Sequence, residues 1–231
     1  MNYEIFEAFP IPFYVGELDN HKQYKENFYK LYDKYDYEDT EYDNTVSENV
    51  GKPFIHLEDN LQPLFEDVIT HIKSYVYDVL DYKEIFNFLI TKSWLSRSRK
   101  ARDELRWHIH STSHVSFVYY LNCPSQSHNI VFENPHNKNS LFLGSTAISK
   151  LDERVMIKEQ NQYNTETFFI SPVEGTLLLF PSSITHCTRA VSDTFNDERL
   201  AIVGDVTLVL QEDNLQYSMG YIDPKYWKMF V

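Results

Sequence analysis

Two histidines one residue apart, in Trp107-His108-Ile109-His110, are the side chains best spaced in this sequence to do chemistry, and the chemistry is metal binding. In a β-strand, residues two apart project from the same face, so His108 and His110 would stand side by side on one wall of a sheet as a two-imidazole pincer. Imidazole suits iron, copper, zinc and nickel, and a non-heme iron centre gathers three protein ligands on one face and leaves the opposite positions open. A third histidine, His186, comes just after the apolar run 175–181, which reads as a buried strand ending in a turn. Arg199 then opens the apolar Leu200-Ala201-Ile202-Val203. A guanidinium at the head of a buried strand is costly unless a planar anion meets its fork, and a carboxylate is the natural partner.

The elements that must position these groups fall into two regions. The N-terminal part reads as helical support: an arm over 5–15 broken by Pro10 and Pro12, which suits an edge strand lying against the core, then a helix from Asp19 to about Asp36. In that helix Tyr24, Phe28, Leu31 and Tyr35 recur at helical spacing, with Asp19 or Asn20 available as the cap. An acidic, tyrosine-dotted stretch over 37–49 shows no period and reads as a loop. A second helix is the clearest local feature: Leu61, Leu64, Phe65, Val68, Ile69, Ile72, Tyr75, Val76 and Val79 make one stripe, with Pro63 in the first turn.

After Lys83 the pattern changes to short apolar or alternating runs, at 86–97, 105–110, 114–122, 129–133, 154–159, 165–170, 175–180, 184–190 and 200–211. Eight or so strands at this spacing mean a sandwich or barrel, and helices first with strands afterwards means a mainly β fold with helices packed on one sheet. We read one domain over 1–231, with an arm and helical support at 1–85, the β core at 86–211 and a tail at 212–231.

Composition limits the function. With 231 residues and 42% apolar content the chain can bury a sizeable core, and a formal charge of -13 argues against a nucleic-acid partner, whose phosphates need a basic face. The short cationic run Ser96 to Arg102 is the local exception; it could hold an anionic substrate or form a solvated turn. Two cysteines, Cys123 and Cys187, make no disulfide framework, Met1-Asn2-Tyr3 does not open a cleavable signal, and no apolar run is long enough to span a membrane. These features point to a cytoplasmic protein without a membrane segment.

On His108, His186 and Arg199 the chain resembles the iron(II)/2-oxoglutarate-dependent oxygenases, whose motif is His-x-Asp/Glu, a distal histidine and an arginine about a strand later. It is most similar to the prolyl-hydroxylase-like subgroup of bacteria and phages, which has His-x-His, a serine and a Ser-Gly-Val-Tyr-Tyr-Leu-like strand. Here the matching stretch runs from His108 to Leu121 with Ser113, Ser116, Val118, Tyr119 and Tyr120, and Phe117 stands where the motif has glycine. The stretch 129–135 and the opening Phe9-Pro10-Ile11-Pro12 match the subgroup too.

The resemblance implies a double-stranded β-helix, or jelly-roll, core and the use of Fe(II), 2-oxoglutarate and O2. It also implies decarboxylation of 2-oxoglutarate to succinate and hydroxylation of a protein side chain, prolyl included, or of a small molecule. By the same likeness His108, His110 and His186 are the metal ligands and the catalytic centre, and Arg199 with Tyr120 holds the far carboxylate of the co-substrate. Strand parity adds Ser116 and Val118 to the Tyr120 wall unless a bulge at Phe117 intervenes. Position 110 departs from most of the superfamily, where it is Asp or Glu, so two alternatives stand: Asp103 or Glu104 folds back as the carboxylate, or one of His108 and His110 serves only as a hydrogen-bond donor behind the ligands.

Simpler readings compete. His21, His56, His71, His128 and His136 read as hydrogen-bonded or surface residues, His114 as a strand-entry residue, and Cys187 as core, since it faces away from its neighbour His186. Arg199 could instead pair with Asp197, Glu198 or Asp205. The competing functions are a three-histidine cupin-type dioxygenase without 2-oxoglutarate and a non-catalytic β-sandwich binding module. The aromatic arm and the tail around 221–227 could pack across a two-fold axis in a homodimer.

Overall fold

The computed structural model describes residues 3–5, 9–35, 52–135, 158–159, 161–217 and 221–230. Among them eight strands form two antiparallel sheets: β1 (Tyr14–Glu17), β2 (Phe86–Ser98), β3 (Val115–Asn122), β4 (Asn129–Glu133), β5 (Thr167–Ile170), β6 (Thr176–Pro181), β7 (His186–Arg189) and β8 (Arg199–Leu210). The larger sheet has the order β1-β6-β3-β8-β2 and the smaller one β5-β4-β7. The expected strands at 86–97, 114–122, 129–133, 165–170, 175–180, 184–190 and 200–211 correspond to these with ends shifted by a few residues. The one expected at 154–159, the loop at 37–49 and His136 lie mostly or wholly outside the described residues.

The larger sheet is apolar on both sides, which is why β3, β6 and β8 read as nearly continuous apolar runs. One face, with Phe117, Tyr119, Leu121, Leu177, Leu179, Leu200 and Ile202, packs against the helices α1 (His21–Tyr29) and α3 (Gln62–Ser74). The other, with Val118, Tyr120, Leu178, Phe180 and Ala201, meets Ile130 and Phe132 of the smaller sheet, and the arm residues Ile11 and Phe13 close its edge. The N-terminal helices therefore cover one sheet and leave the space between the sheets for the site.

Several local expectations are corrected. The helix from Asp19 to Asp36 is two pieces among the described residues, α1 and the one-turn α2 (Tyr32–Tyr35), separated at Lys30 and Leu31. Asn20 occupies the N-cap position but its side chain makes no capping bond; its amide turns instead to the Tyr24 hydroxyl at 3.4 Å. The second helix is a 3-10 turn at Asp59–Leu61, α3, and a π turn at Tyr75–Val79; Leu64, Phe65, Val68 and Ile72 are buried as expected, but Val79 is exposed.

The cationic run is not a solvated turn at its start. Ser96, Arg97 and Ser98 are the buried end of β2, and Arg99 reaches Glu198 and the Tyr32 hydroxyl, each at 2.9 Å. The turn that follows is held by Asp103, which accepts from the backbone nitrogens of Arg99 and Lys100.

Candidate metal centre

The segment 105–110 is not a strand. It is an extended ribbon beside β7 whose one bridge to the smaller sheet is at His108 and His186, which exchange both backbone hydrogen bonds at 2.9 Å. Two further anchors hold it straight: His110 N donates to Ser182 O at 2.9 Å, and Leu105 N to the Thr188 hydroxyl at 2.7 Å. The ribbon keeps the alternation of a strand. Trp107 and Ile109 face outward and are exposed, while the rings of His108 and His110 lie 5.3 Å apart on the inner side. His186, the first residue of β7, brings its ring to 4.3 Å from His108 and 5.1 Å from His110.

One nitrogen from each of His108, His110 and His186 lies within 4.8 Å of the other two, and this is the one such group of potential ligands among the described residues. The hydrogen bonds behind the rings decide which nitrogen faces the centre. Nδ1 of His108 meets Arg106 O at 2.7 Å, Nδ1 of His186 meets Ile184 O at 2.9 Å, and Nδ1 of His110 meets Asp205 Oδ1 at 2.5 Å. A neutral imidazole that donates from Nδ1 carries its lone pair on Nε2, the tautomer a metal requires. His110 Nε2 is buried without a hydrogen-bond partner, a cost that a metal would remove. Burial, reinforced by the neighbouring His108 and opposed by the Ile184 carbonyl, pushes the His186 imidazole down to about 3, so it is neutral at ordinary pH. The donor set therefore fits a borderline divalent ion such as iron(II).

Asp103 and Glu104, the alternative carboxylates, are engaged elsewhere: Asp103 in its turn, and Glu104 with Arg189 at 3.2 Å and the Ala190 nitrogen at 3.0 Å. The carboxylate nearest the site is Asp205, fully buried in the middle of β8. Burial alone would raise its carboxyl, but the hydrogen bond and charge of His110, a hydrogen bond from Ser116 and the charge of Lys92 hold it below the usual carboxylate range. The sequence contained a signal for it, since an acid inside an otherwise apolar strand needs a partner. Trp94, stacked on the His110 ring at 5.5 Å, carried no such signal.

The histidines open onto a cavity of about 450 Å³ between the sheets, lined by Trp94, Val118, Ile130, Thr188 and Arg199 among others. Arg199 is only 2% exposed, and its Nε and Nη1 have no hydrogen-bond partner; Asp197, Glu198 and Asp205 each bond elsewhere, so the structural ion pair is not formed. Its guanidinium lies 5.3 Å from the centroid of the Tyr120 ring. The Tyr120 hydroxyl is also buried without a hydrogen bond of normal geometry, and burial pushes its pKa up to about 12 against the opposing charge of Arg199, so it remains a donor. Arg199 lines the cavity and Tyr120 lies behind it, so the unmatched donors of a buried cation and a buried phenol sit together where an anion would satisfy them.

Ser116 is on the Tyr120 side of β3, as parity requires, and no bulge interrupts the strand at Phe117. It does not line the cavity. Its hydroxyl bonds Asp205 Oδ1 and Ser182 Oγ, each at 2.9 Å, one layer behind His110. The histidines expected to be structural are so: His21 bonds Tyr119, His56 bonds Ser93, His71 bonds Tyr14 and His128 bonds the Ala101 carbonyl. His114 accepts the Leu208 backbone N–H, and Cys187 is buried.

Two antiparallel sheets enclosing a three-histidine cluster and a buried, unmatched guanidinium define a jelly-roll protein whose cavity carries groups suited to a metal ion and an anion. Residues 92–205 match the family model described as "Putative 2OG-Fe(II) oxygenase", so this region, nearly half of the chain, is of the 2OG-Fe(II) oxygenase family, whose cofactor and co-substrate are iron(II) and 2-oxoglutarate. A search of curated proteins returned no match. Among solved structures the chain is similar to a prolyl-4-hydroxylase of Pseudomonas putida, 11% identical with a TM-score of 0.52 over 85% of this chain and 92% of that one. It is also similar to iron-bound HygX of Streptomyces hygroscopicus, 14% identical with a TM-score of 0.50 over 92% of each chain. At these identities the likeness concerns the fold, the double-stranded β-helix. The chain spans 62% of the length of an oxidoreductase of the same family from Burkholderia pseudomallei, 68% of this chain aligning at 12% identity with a TM-score of 0.44. Among the described residues no helix is long and apolar enough to cross a membrane.

Proposed function

We propose that His108, His110 and His186 hold the iron through Nε2, that Arg199 and Tyr120 take the far carboxylate of 2-oxoglutarate, and that the protein hydroxylates a protein side chain or a small molecule. The observation that carries this reading is the pairing of two unsatisfied groups in one cavity. An orphaned, buried His110 Nε2 calls for a cation, and the orphaned nitrogens of buried Arg199 call for an anion. With iron bound, the family's chemistry couples decarboxylation of 2-oxoglutarate to succinate with oxygenation of a substrate C–H bond.

The chain's own part is to bind, orient and exclude water. The Nδ1 hydrogen bonds fix the three rings. The guanidinium fixes one end of the co-substrate and so the direction in which its other end lies. Val118, Ile130 and Val203 keep the wall apolar. A prolyl side chain is one substrate that the apolar wall suits, and the fold likeness to a prolyl-4-hydroxylase agrees with it. Exposed Trp107 and Ile109 flank the ligating His108 on the outer side of the ribbon, where a peptide backbone could lie.

Anaerobic protein titrated with iron(II) and then 2-oxoglutarate should develop a weak visible charge-transfer band, and air should then yield succinate. Peptides that contain proline should gain the mass of one oxygen atom. No band and no succinate would overturn the assignment of the site; succinate without peptide modification would turn the substrate towards small molecules.

A further inference from the structure

Three neutral imidazoles leave a divalent metal with its full double charge, whereas a ligand set containing a carboxylate lowers that charge by one. The structure nonetheless holds a carboxylate at the site, one atom layer further out. Asp205 is 0% exposed and its Oδ1 lies 2.5 Å from His110 Nδ1. The register of β8 against β3 sets it opposite Ser116, whose hydroxyl also bonds Oδ1, and Lys92 Nζ lies 3.4 Å from Oδ2. Nδ1 of His108 and Nδ1 of His186 meet the backbone carbonyls of Arg106 and Ile184 instead, so the three rings are not equivalent.

A carboxylate behind a ligating imidazole fixes the ring and increases its donor strength, because the ring can release part of its Nδ1 proton density to the acid. We infer that Asp205 is a positioning residue that delivers to the metal, through the His110 ring, the negative charge missing from a three-histidine ligand set. This rests on the reading of those histidines as ligands. It gives position 110 a physical account: the carboxylate that most of the superfamily carries in the ligand shell has been moved behind a histidine, on a different strand.

The test uses metal-free protein and cobalt(II), an air-stable probe with a visible spectrum, with affinity read by calorimetry and the ligand field by absorption. Asp205→Asn keeps the size and an oxygen that can accept from Nδ1 but removes the charge. It should weaken cobalt binding by roughly 10- to 100-fold and shift the bands, while a binding constant within about threefold of the wild type would overturn the inference. The reciprocal background covers the case in which Asp205→Asn does not fold. With His110→Asp the anion enters the ligand shell and Asp205 becomes a like charge against it. The double variant His110→Asp/Asp205→Asn should then bind cobalt more tightly than His110→Asp alone, a reversal of sign that a purely structural Asp205 would not produce. No tightening would overturn the inference. Failure of the wild type to bind cobalt would instead remove the ligand assignment itself.

Discussion

Phe117 of β3 and Gly204 of β8 face each other across the larger sheet, and the ring of one fills the space left by the other. A Cβ built on Gly204 would stand 2.5 Å from Phe117 Cζ and 2.9 Å from the Lys92 carbonyl oxygen. The strand motif that β3 resembles has glycine at 117, so here the bulk sits on β3 and the glycine on β8, directly before Asp205. Because Phe117 is fully buried, the ring cannot swing away. Gly204→Ala should therefore destabilise the protein by about 1–3 kcal/mol in denaturant melts. Adding Phe117→Leu should recover part of that loss, as expected of two residues sharing one space.

Arg199 separates function from stability. Arg199→Ala should weaken 2-oxoglutarate binding to the metal-loaded protein by about 2–5 kcal/mol, while metal affinity changes little, since the guanidinium is not a ligand. Arg199→Lys should not restore it, because an ammonium cannot reproduce the fork. A buried cation without an anion costs folding energy, so Arg199→Met should melt no lower than the wild type when both are free of co-substrate. Calorimetry and thermal melts check both statements; a lower-melting Met variant would mean that the guanidinium has a structural partner.

Acid should destabilise the metal-free protein through His186. Its imidazole is held at about 3 in the fold, against an ordinary value of 6.5. Between those values the unfolded chain holds a proton that the folded chain does not, so stability falls as the pH is lowered from 6.5, by up to about 1.4 kcal/mol per pH unit. By pH 5 this amounts to roughly 2 kcal/mol, observable as a lower urea midpoint. His186→Gln should flatten that slope; an equal slope in both proteins would assign the acid sensitivity to other groups.

Removal of the metal should leave a folded protein, because the two apolar clusters that build the sheets are independent of the histidines' Nε2 atoms. Adding back iron(II) or cobalt(II) at a hundred times its dissociation constant should stabilise it by about 2.7 kcal/mol. 2-Oxoglutarate should raise the melting temperature strongly only after the metal has been added. Equal stabilisation by 2-oxoglutarate with and without metal would place its binding on Arg199 alone.

What the sequence determined by itself was whatever depends on neighbours along the chain. The i, i+2 spacing put the rings of His108 and His110 on one side although 105–110 proved to be a ribbon, because an extended backbone alternates with or without a full ladder. The α3 stripe and the apolar runs of β3, β6 and β8 were legible for the same reason: burial on one or two faces leaves a period in the residues. Tertiary structure decided what depends on register between distant strands. The antiparallel pairing of β3 with β8 set Asp205 opposite Ser116 and within reach of His110, where no local pattern could separate it from an ion-pair partner for Arg199. Packing against Glu198 and Tyr32 likewise drew the first half of the cationic run into the fold. A single strand's residues carry its faces, whereas its partners and their offset follow from how all the apolar faces are buried together.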